Sequence, residues 1–191
     1  MKKIVVFLFD GFSDWEIAYL TPEINRSEQF ELVYISKDAK PVTSMGGMLV
    51  QPSASVADVG LHDLAMLILP GGTTWEKGKN EEVSELVVEA FKRGIPVAAI
   101  CAATTRLAEL GLLDELAHTS NDLGYLKAVV PSYRGEQHYQ NEPAVTGKNV
   151  ITACGSFPIE FSREVFRAIE LYDEAKIEKW FQLFKHGIWS E

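Results

Sequence analysis

An α/β fold, doubly wound around a mostly parallel sheet with helices on both faces, is the class this sequence predicts, and three observations lead to it. The runs "KIVVFLF" (3–9), "AMLILP" (65–70) and "PVAAI" (96–100) are short, continuously apolar and bounded by Gly, Pro or Asp. Strands with that pattern are covered on both faces, as strands of parallel sheets are. Between them lie helical patterns, and strands alternating with helices define a doubly wound sheet. The chain of 191 residues, 47% hydrophobic and 24% charged, can bury a substantial core and is read as one domain over 1–191.

The remaining elements follow in order. "FELVYISK" (30–37) adds a strand, and "MGGM" (45–48) resembles a hairpin turn. In "NEEVSELVVEAFKRG" (80–94), Val83, Leu86, Val87, Ala90 and Phe91 share one helical face and Gly94 closes the end. "AVTGKNVITA" (144–153) reads as two strands joined at Gly147 and Lys148, and two helices are expected from 158 onward. In the second, Ile177, Trp180, Phe181 and Phe184 form an apolar stripe that is expected to pack on the protein's own core.

Charge and composition narrow the function classes. The net charge of −9, from 18 basic and 27 acidic residues, repels phosphate backbones, so neither nucleic acid nor a membrane is expected as partner. The start "MKKIVVFLFDGF" has the two lysines and apolar run of a leader, but Asp10 interrupts it and no small-residue cleavage site follows. No other run is long enough to span a bilayer. Two cysteines, Cys101 and Cys154, are too few for a disulfide scaffold and lack zinc spacing, so a cytoplasmic location is expected. No pair or triplet of His, Cys and carboxylates shows ligand spacing, so no metal and no cofactor is expected.

Ligands of open parallel sheets bind beyond the carboxyl ends of the strands. Here those ends continue as "DGFSDWE", "GGTTWEKG" and "CAATTRLA". Cys101 sits where "PVAAI" gives way to a helix, with Ala99 and Ala103 two residues to either side. Small neighbours permit the sharp strand-to-helix turn that exposes a nucleophile, and a helix starting at Ala102 would lower the thiol pKa. Cys101 is equally readable as a buried structural cysteine. The glycines of "LPGG" free backbone N–H groups, so that Gly72 with Ala102 would supply two oxyanion donors; the bland reading is an ordinary turn. Glu16 has the S-x-x-E spacing of a capping box with Ser13, and the same helix start would bring its carboxyl to the sheet edge that holds Cys101. Asp10 and Asp14 are weaker candidates, suited to a strand end and a first helical turn. Of four histidines, His62 and His186 read as surface residues, while His118 and His138 fall on strand-like segments and are the two that could approach the third strand end.

Taken together, "DGFSDWE", "LPGG" and "AICAATTRLAELGLL" resemble the PfpI/ThiJ superfamily, a branch of the class I glutamine amidotransferase-like fold, in order across essentially the whole chain. The resemblance implies a flavodoxin-like sandwich with Cys101 as elbow cysteine, Glu16 as the carboxyl beside it, and Gly72 and Ala102 as oxyanion donors. It implies a cysteine-dependent hydrolase, lyase or glyoxalase-like enzyme acting on a small carbonyl or acyl substrate. The alternative is a redox-sensing or stress-response binding protein that uses the same cysteine. Family members commonly form dimers or larger rings, so a homo-oligomer, most simply a dimer, is expected. Protease-like members place a histidine directly after the cysteine, where this chain has Ala102. True glutaminase domains pair a histidine with a glutamate after a late strand, whereas "TACGSFPIEF" offers Glu160 alone, so glutaminase activity is not expected. Alignment by eye places Asn121 where some relatives carry a histidine.

Overall fold

Strands whose side chains are apolar on both faces must be central, and the sheet is ordered accordingly. The computed structural model describes residues 1–190. Its strands are β1 (Lys2–Phe7), β2 (Phe30–Ser36), β3 (Val42–Thr43), β4 (Leu49–Val50), β5 (Ala54–Ser55), β6 (Leu64–Leu69), β7 (Val97–Ile100), β8 (Ala144–Gly147) and β9 (Val150–Ala153). Its α-helices are α1 (Leu20–Arg26), α2 (Ser84–Lys92), α3 (Ala103–Glu109), α4 (Leu123–Val129), α5 (Pro158–Ala168) and α6 (Glu174–His186). Seven strands form one sheet in the order β5-β2-β1-β6-β7-β9-β8. All pairings in it are parallel except β8 with β9, whose tight turn passes through Lys148 at φ 53°. The short strands β3 and β4 make the hairpin expected around "MGGM".

The three apolar runs are thus β1, β6 and β7, side by side, and every residue of β7 is fully buried. A parallel register aligns their carboxyl ends, which carries Asp10, Gly71 and Cys101 to one edge of the sheet. Helices α1, α5 and α6 pack in sequence against one another, while α2 and α3 lie against β7 and α4 against α3. In α6, Ile177, Trp180 and Phe181 enter the core as expected, with the Trp180 ring 4.8 Å from that of Phe166. Phe184 departs from the expectation: it is 43% exposed, its ring lying against Tyr19 and Trp180 at the surface and not in the core. Among the described residues no helix is long and apolar enough to cross a membrane.

The first helix does not begin at Ser13. Residues 14–16 form a single 3-10 turn, Ser13 makes no side-chain cap to it, and the α-helix starts at Leu20. The capping box is therefore absent. In the tighter turn the Glu16 side chain points inward instead of back toward Ser13 N–H, and it is completely buried.

Candidate active site

Cys101 follows directly on β7, and its N–H still bonds to Ala153 O at 2.9 Å, so the sheet holds the residue in place. Its φ of 60° lies in the left-handed region, a conformation that a residue with a Cβ adopts at an energetic cost of order 1 kcal/mol or more. The neighbours sustain it. Thr104 N–H and Thr104 Oγ1 both donate to Cys101 O, at 3.2 and 2.7 Å, and Thr104 Oγ1 is 2.7 Å from Ser120 Oγ. Cys101 thus sits at a sharp left-handed turn between β7 and α3.

The Glu16 carboxyl faces the Cys101 thiol closely enough that the two groups act on each other's pKa. Its Oε2 accepts from Gly71 N–H at 2.5 Å, and Ser13 contributes a further side-chain hydrogen bond. Oε1 is buried without a nitrogen or oxygen partner. Burial outweighs these donors and raises the Glu16 pKa to about 7. Two glycines make room for the pair. A Cβ on Gly71 would lie 2.6 Å from Cys101 Cβ and 2.7 Å from Glu16 Oε2, and one on Gly155 would lie 2.7 Å from Cys101 Sγ and 3.0 Å from Glu16 Oε1.

The thiol itself departs from the expectation of a lowered pKa. Burial, and then the charge of Glu16, push Cys101 up to about 12, against the lowering by the Asn121 side chain and the Ala102 N–H. The helix that follows has seven residues and begins at Ala103, so it offers one well-placed N–H rather than a strong field.

Of the other residues singled out, Asn121 joins the site: its Nδ2 donates to Cys101 Sγ at 3.4 Å and its Oδ1 accepts from Gly155 N–H at 3.0 Å. Gly72 is buried with φ 147°, and a Cβ there would meet Gly11 O at 2.6 Å, so only glycine fits. Neither Gly72 N–H nor Ala102 N–H bonds to a main-chain acceptor among the described residues. His118 and His138 do not line the cleft above Cys101. The His118 ring is fully buried and held at both nitrogens, by Leu116 O at 2.6 Å and Tyr133 Oη at 2.5 Å, which is packing. Nor are these segments regular strands: His118 makes one isolated bridge with Tyr139, and His138 ends a 3-10 turn over Glu136–His138. Asp10 and Asp14 hold the β3–β4 hairpin, Asp10 by accepting from Thr43 N–H at 2.8 Å and Asp14 from Ser44 Oγ at 2.6 Å and Gly46 N–H at 2.9 Å.

Four residues at the site, Gly71, Gly155, Trp15 and Ser156, are not singled out as site residues by the sequence. Gly71, not only its neighbour Gly72, takes part by binding the carboxyl. Gly155 was visible only as one of the small residues in "ACGS" after a strand that ends at the same edge. Cys154 lines the same cleft as Cys101, as do Trp15 and Ser156.

A seven-stranded, mostly parallel sheet with helices on both faces places the protein among flavodoxin-like α/β proteins, with a buried carboxyl beside a left-handed cysteine at one sheet edge. The chain matches the DJ-1/PfpI family over residues 2–168 and belongs to that family. The uncharacterized protease YoaZ of Bacillus subtilis is 35% identical over 191 residues, covering 96% of this chain and 91% of the relative. The deglycase PfpI of Pyrococcus furiosus is 32% identical over 120 residues, covering 62% of this chain and 71% of the relative. The crystal structure of a DJ-1 superfamily protein from Agrobacterium tumefaciens superposes with a TM-score of 0.89 at 39% identity, covering 98% of this chain and 99% of that one.

Proposed function

We propose that the protein is a cysteine-dependent enzyme of the hydrolase, lyase or glyoxalase type, acting on a small carbonyl or acyl compound with Cys101 as nucleophile. One observation carries this reading: the completely buried Glu16 carboxyl stands beside the Cys101 sulfur, both crowding the same point at Gly155, and burial raises its pKa to about 7. A carboxylate in that position accepts the thiol proton as the sulfur attacks. The new S–C bond forms while the carbonyl π pair moves to oxygen, and the proton passes from Sγ to Glu16. The pair then needs no preformed thiolate, which answers the raised thiol pKa. The N–H groups of Gly72 and Ala102, left without main-chain acceptors, would receive the developing oxyanion.

The names of the relatives, a protease and a deglycase, are consistent with attack on a carbonyl carbon. Glutamine is a poor candidate substrate. The first acid after the late strand, Glu160, is on α5 and ion-paired to Lys185 at 2.7 Å, with no histidine beside it. Two free thiols suit a reducing compartment, and we place the protein in the cytoplasm. The test is turnover of a panel of small aldehydes, α-oxoaldehydes and activated esters by the wild type and by Cys101→Ser. Saturable turnover that Cys101→Ser abolishes supports the reading, and turnover equal in the two proteins overturns it.

A second reading, oxidation of Cys101 without turnover, is favoured by Cys154 in the same cleft. Ile100 and Ala153 pair in register on β7 and β9, so the two cysteines follow on neighbouring strands. A thiol that oxidises readily with peroxide while no carbonyl compound is turned over selects it.

A further inference from the structure

The walls of the Cys101 cleft carry charge of one sign only. Trp15, Glu16, Asn121, Cys154, Gly155 and Ser156 surround Cys101 in a cleft of about 440 Å³, and no Lys or Arg is among them. The one ionisable wall residue besides the cysteines is an acid. Tyr125 on α4 donates its hydroxyl to Glu76 Oε1 at 2.9 Å, and charge on Cys101 adds to what raises the phenol pKa. Among the described residues, the charge that shifts the Cys101 thiol is that of Glu16. On α4 the lysine is occupied elsewhere, Lys127 being paired with Glu136 at 2.7 Å. Trp15 is 45% exposed at this mouth and offers a flat aromatic surface.

We propose that this cleft admits electrophiles whose body is uncharged or cationic, seats that body on the Trp15 indole, and turns away carboxylates and phosphates. The inference deepens the reading of Cys101 as nucleophile and names the charge class of its substrate. Above about pH 7, where Glu16 is ionised, an anionic substrate entering the cleft meets that carboxylate with no cation in the lining to offset it, a like-charge contact. At the separations available within such a cleft, repulsion in a partly aqueous medium amounts to about a tenfold loss of rate. A cation gains from the same field and from the indole face, which contributes about 0.5–1 kcal/mol at an exposed site, a two- to five-fold effect. The net charge of −9 acts in the same direction at longer range.

The experiment uses three methanethiosulfonates with trimethylammonioethyl, ethyl and sulfonatoethyl tails, in a Cys154→Ser background so that Cys101 is the single thiol. In each case the thiolate attacks the sulfenyl sulfur, a mixed disulfide forms and methanesulfinate leaves, so the chemistry is common and no turnover is required. Rates are divided by those for free cysteine under the same conditions, and ratios among the three reagents cancel the thiolate fraction. We expect the normalised rate of the anionic reagent to be about a tenth of the neutral one or less at low salt, the gap to narrow with added salt, and the cationic reagent to be fastest. Trp15→Ala should lower the cationic advantage two- to five-fold and leave the exclusion of the anion above about pH 7, whereas Glu16→Gln should relax that exclusion, the ratios among reagents being independent of the thiolate fraction. Equal normalised rates for the three reagents would overturn the proposal, as would a Trp15→Ala variant whose three rates shift together. A protein that shows the charge preference and turns over no carbonyl compound would instead refute the enzymatic reading while leaving this one standing.

Discussion

Gly155 N–H donates to Asn121 Oδ1, and that bond decides which end of the Asn121 side chain faces Cys101. With the oxygen engaged at 3.0 Å, the amide nitrogen is left to donate to the sulfur at 3.4 Å. Asn121 is thus a neutral donor that stabilises negative charge on sulfur without carrying a proton in or out. We expect Asn121→Ala to raise the thiol pKa and slow alkylation of Cys101 at pH 7 several-fold. Asn121→Asp should slow it further, since it adds a second like charge beside Glu16. Iodoacetamide kinetics resolved by peptide mass spectrometry check both; an Asp variant as fast as the wild type would mean that the amide does not act on the sulfur.

The same pair sets a stability profile. Glu16 holds its proton in the folded protein up to about pH 7, whereas an ordinary glutamate releases it near 4.5. Between those values the folded state binds more protons than the unfolded state, so this group makes stability fall as pH rises from 4.5 to 7 and then level off. The full shift corresponds to about 3 kcal/mol. Glu16→Gln should remove the slope, so that the variant gains on the wild type by up to about 3 kcal/mol between pH 4.5 and 7.5 in urea titrations. A difference that does not change with pH would exclude an elevated Glu16 pKa.

Space around the sulfur is equally specific. A methyl group on Gly155 would stand 2.7 Å from Sγ, well inside contact distance. Gly155→Ala should destabilise the protein by about 1–3 kcal/mol and displace the sulfur, slowing its alkylation well beyond what the stability loss explains. Urea denaturation alongside alkylation kinetics separates the two effects.

Helix α6 offers a contrasting case. Trp180 is 7% exposed and packs edge-on against Phe166, so Trp180→Ala should cost about 3–5 kcal/mol. Phe184→Ala should cost much less, since Phe184 is 43% exposed. Neither should change the reactivity of Cys101 in the fraction that is folded.

The unequal fates of those two residues show what a sequence pattern can and cannot carry. Periodicity at spacings of 3, 1 and 3 identifies one face of a helix, but how deeply each residue of that face is covered depends on distant partners, such as Tyr19 against Phe184. The apolar runs became β1, β6 and β7 because burial on both faces leaves a local signature that needs no knowledge of the rest of the chain. Glu16 was legible as a residue of interest and misread in its local role. The spacing of Ser13 and Glu16 suits a capping box in an α-helix, whereas a 3-10 turn turns the same carboxyl inward. Gly71 and Gly155 were not legible as parts of the site, since the reason for each is a neighbour from a distant segment. The lowered thiol pKa expected of Cys101 rested on a helix start alone, and desolvation together with the Glu16 charge, which no local pattern reveals, reversed its direction.

The central claim is that Cys101 and Glu16 act as one proton-sharing unit. It is tested most directly by the pH dependence of Cys101 alkylation by iodoacetamide in the wild type and in Glu16→Gln. We expect the wild-type rate to rise through about pH 7, where the carboxyl loses its proton and becomes able to take the one on sulfur, and then to level off. In Glu16→Gln the step near pH 7 should vanish. A wild-type rate that climbs without a break until the thiol itself ionises, with the same profile in Glu16→Gln, would contradict the claim.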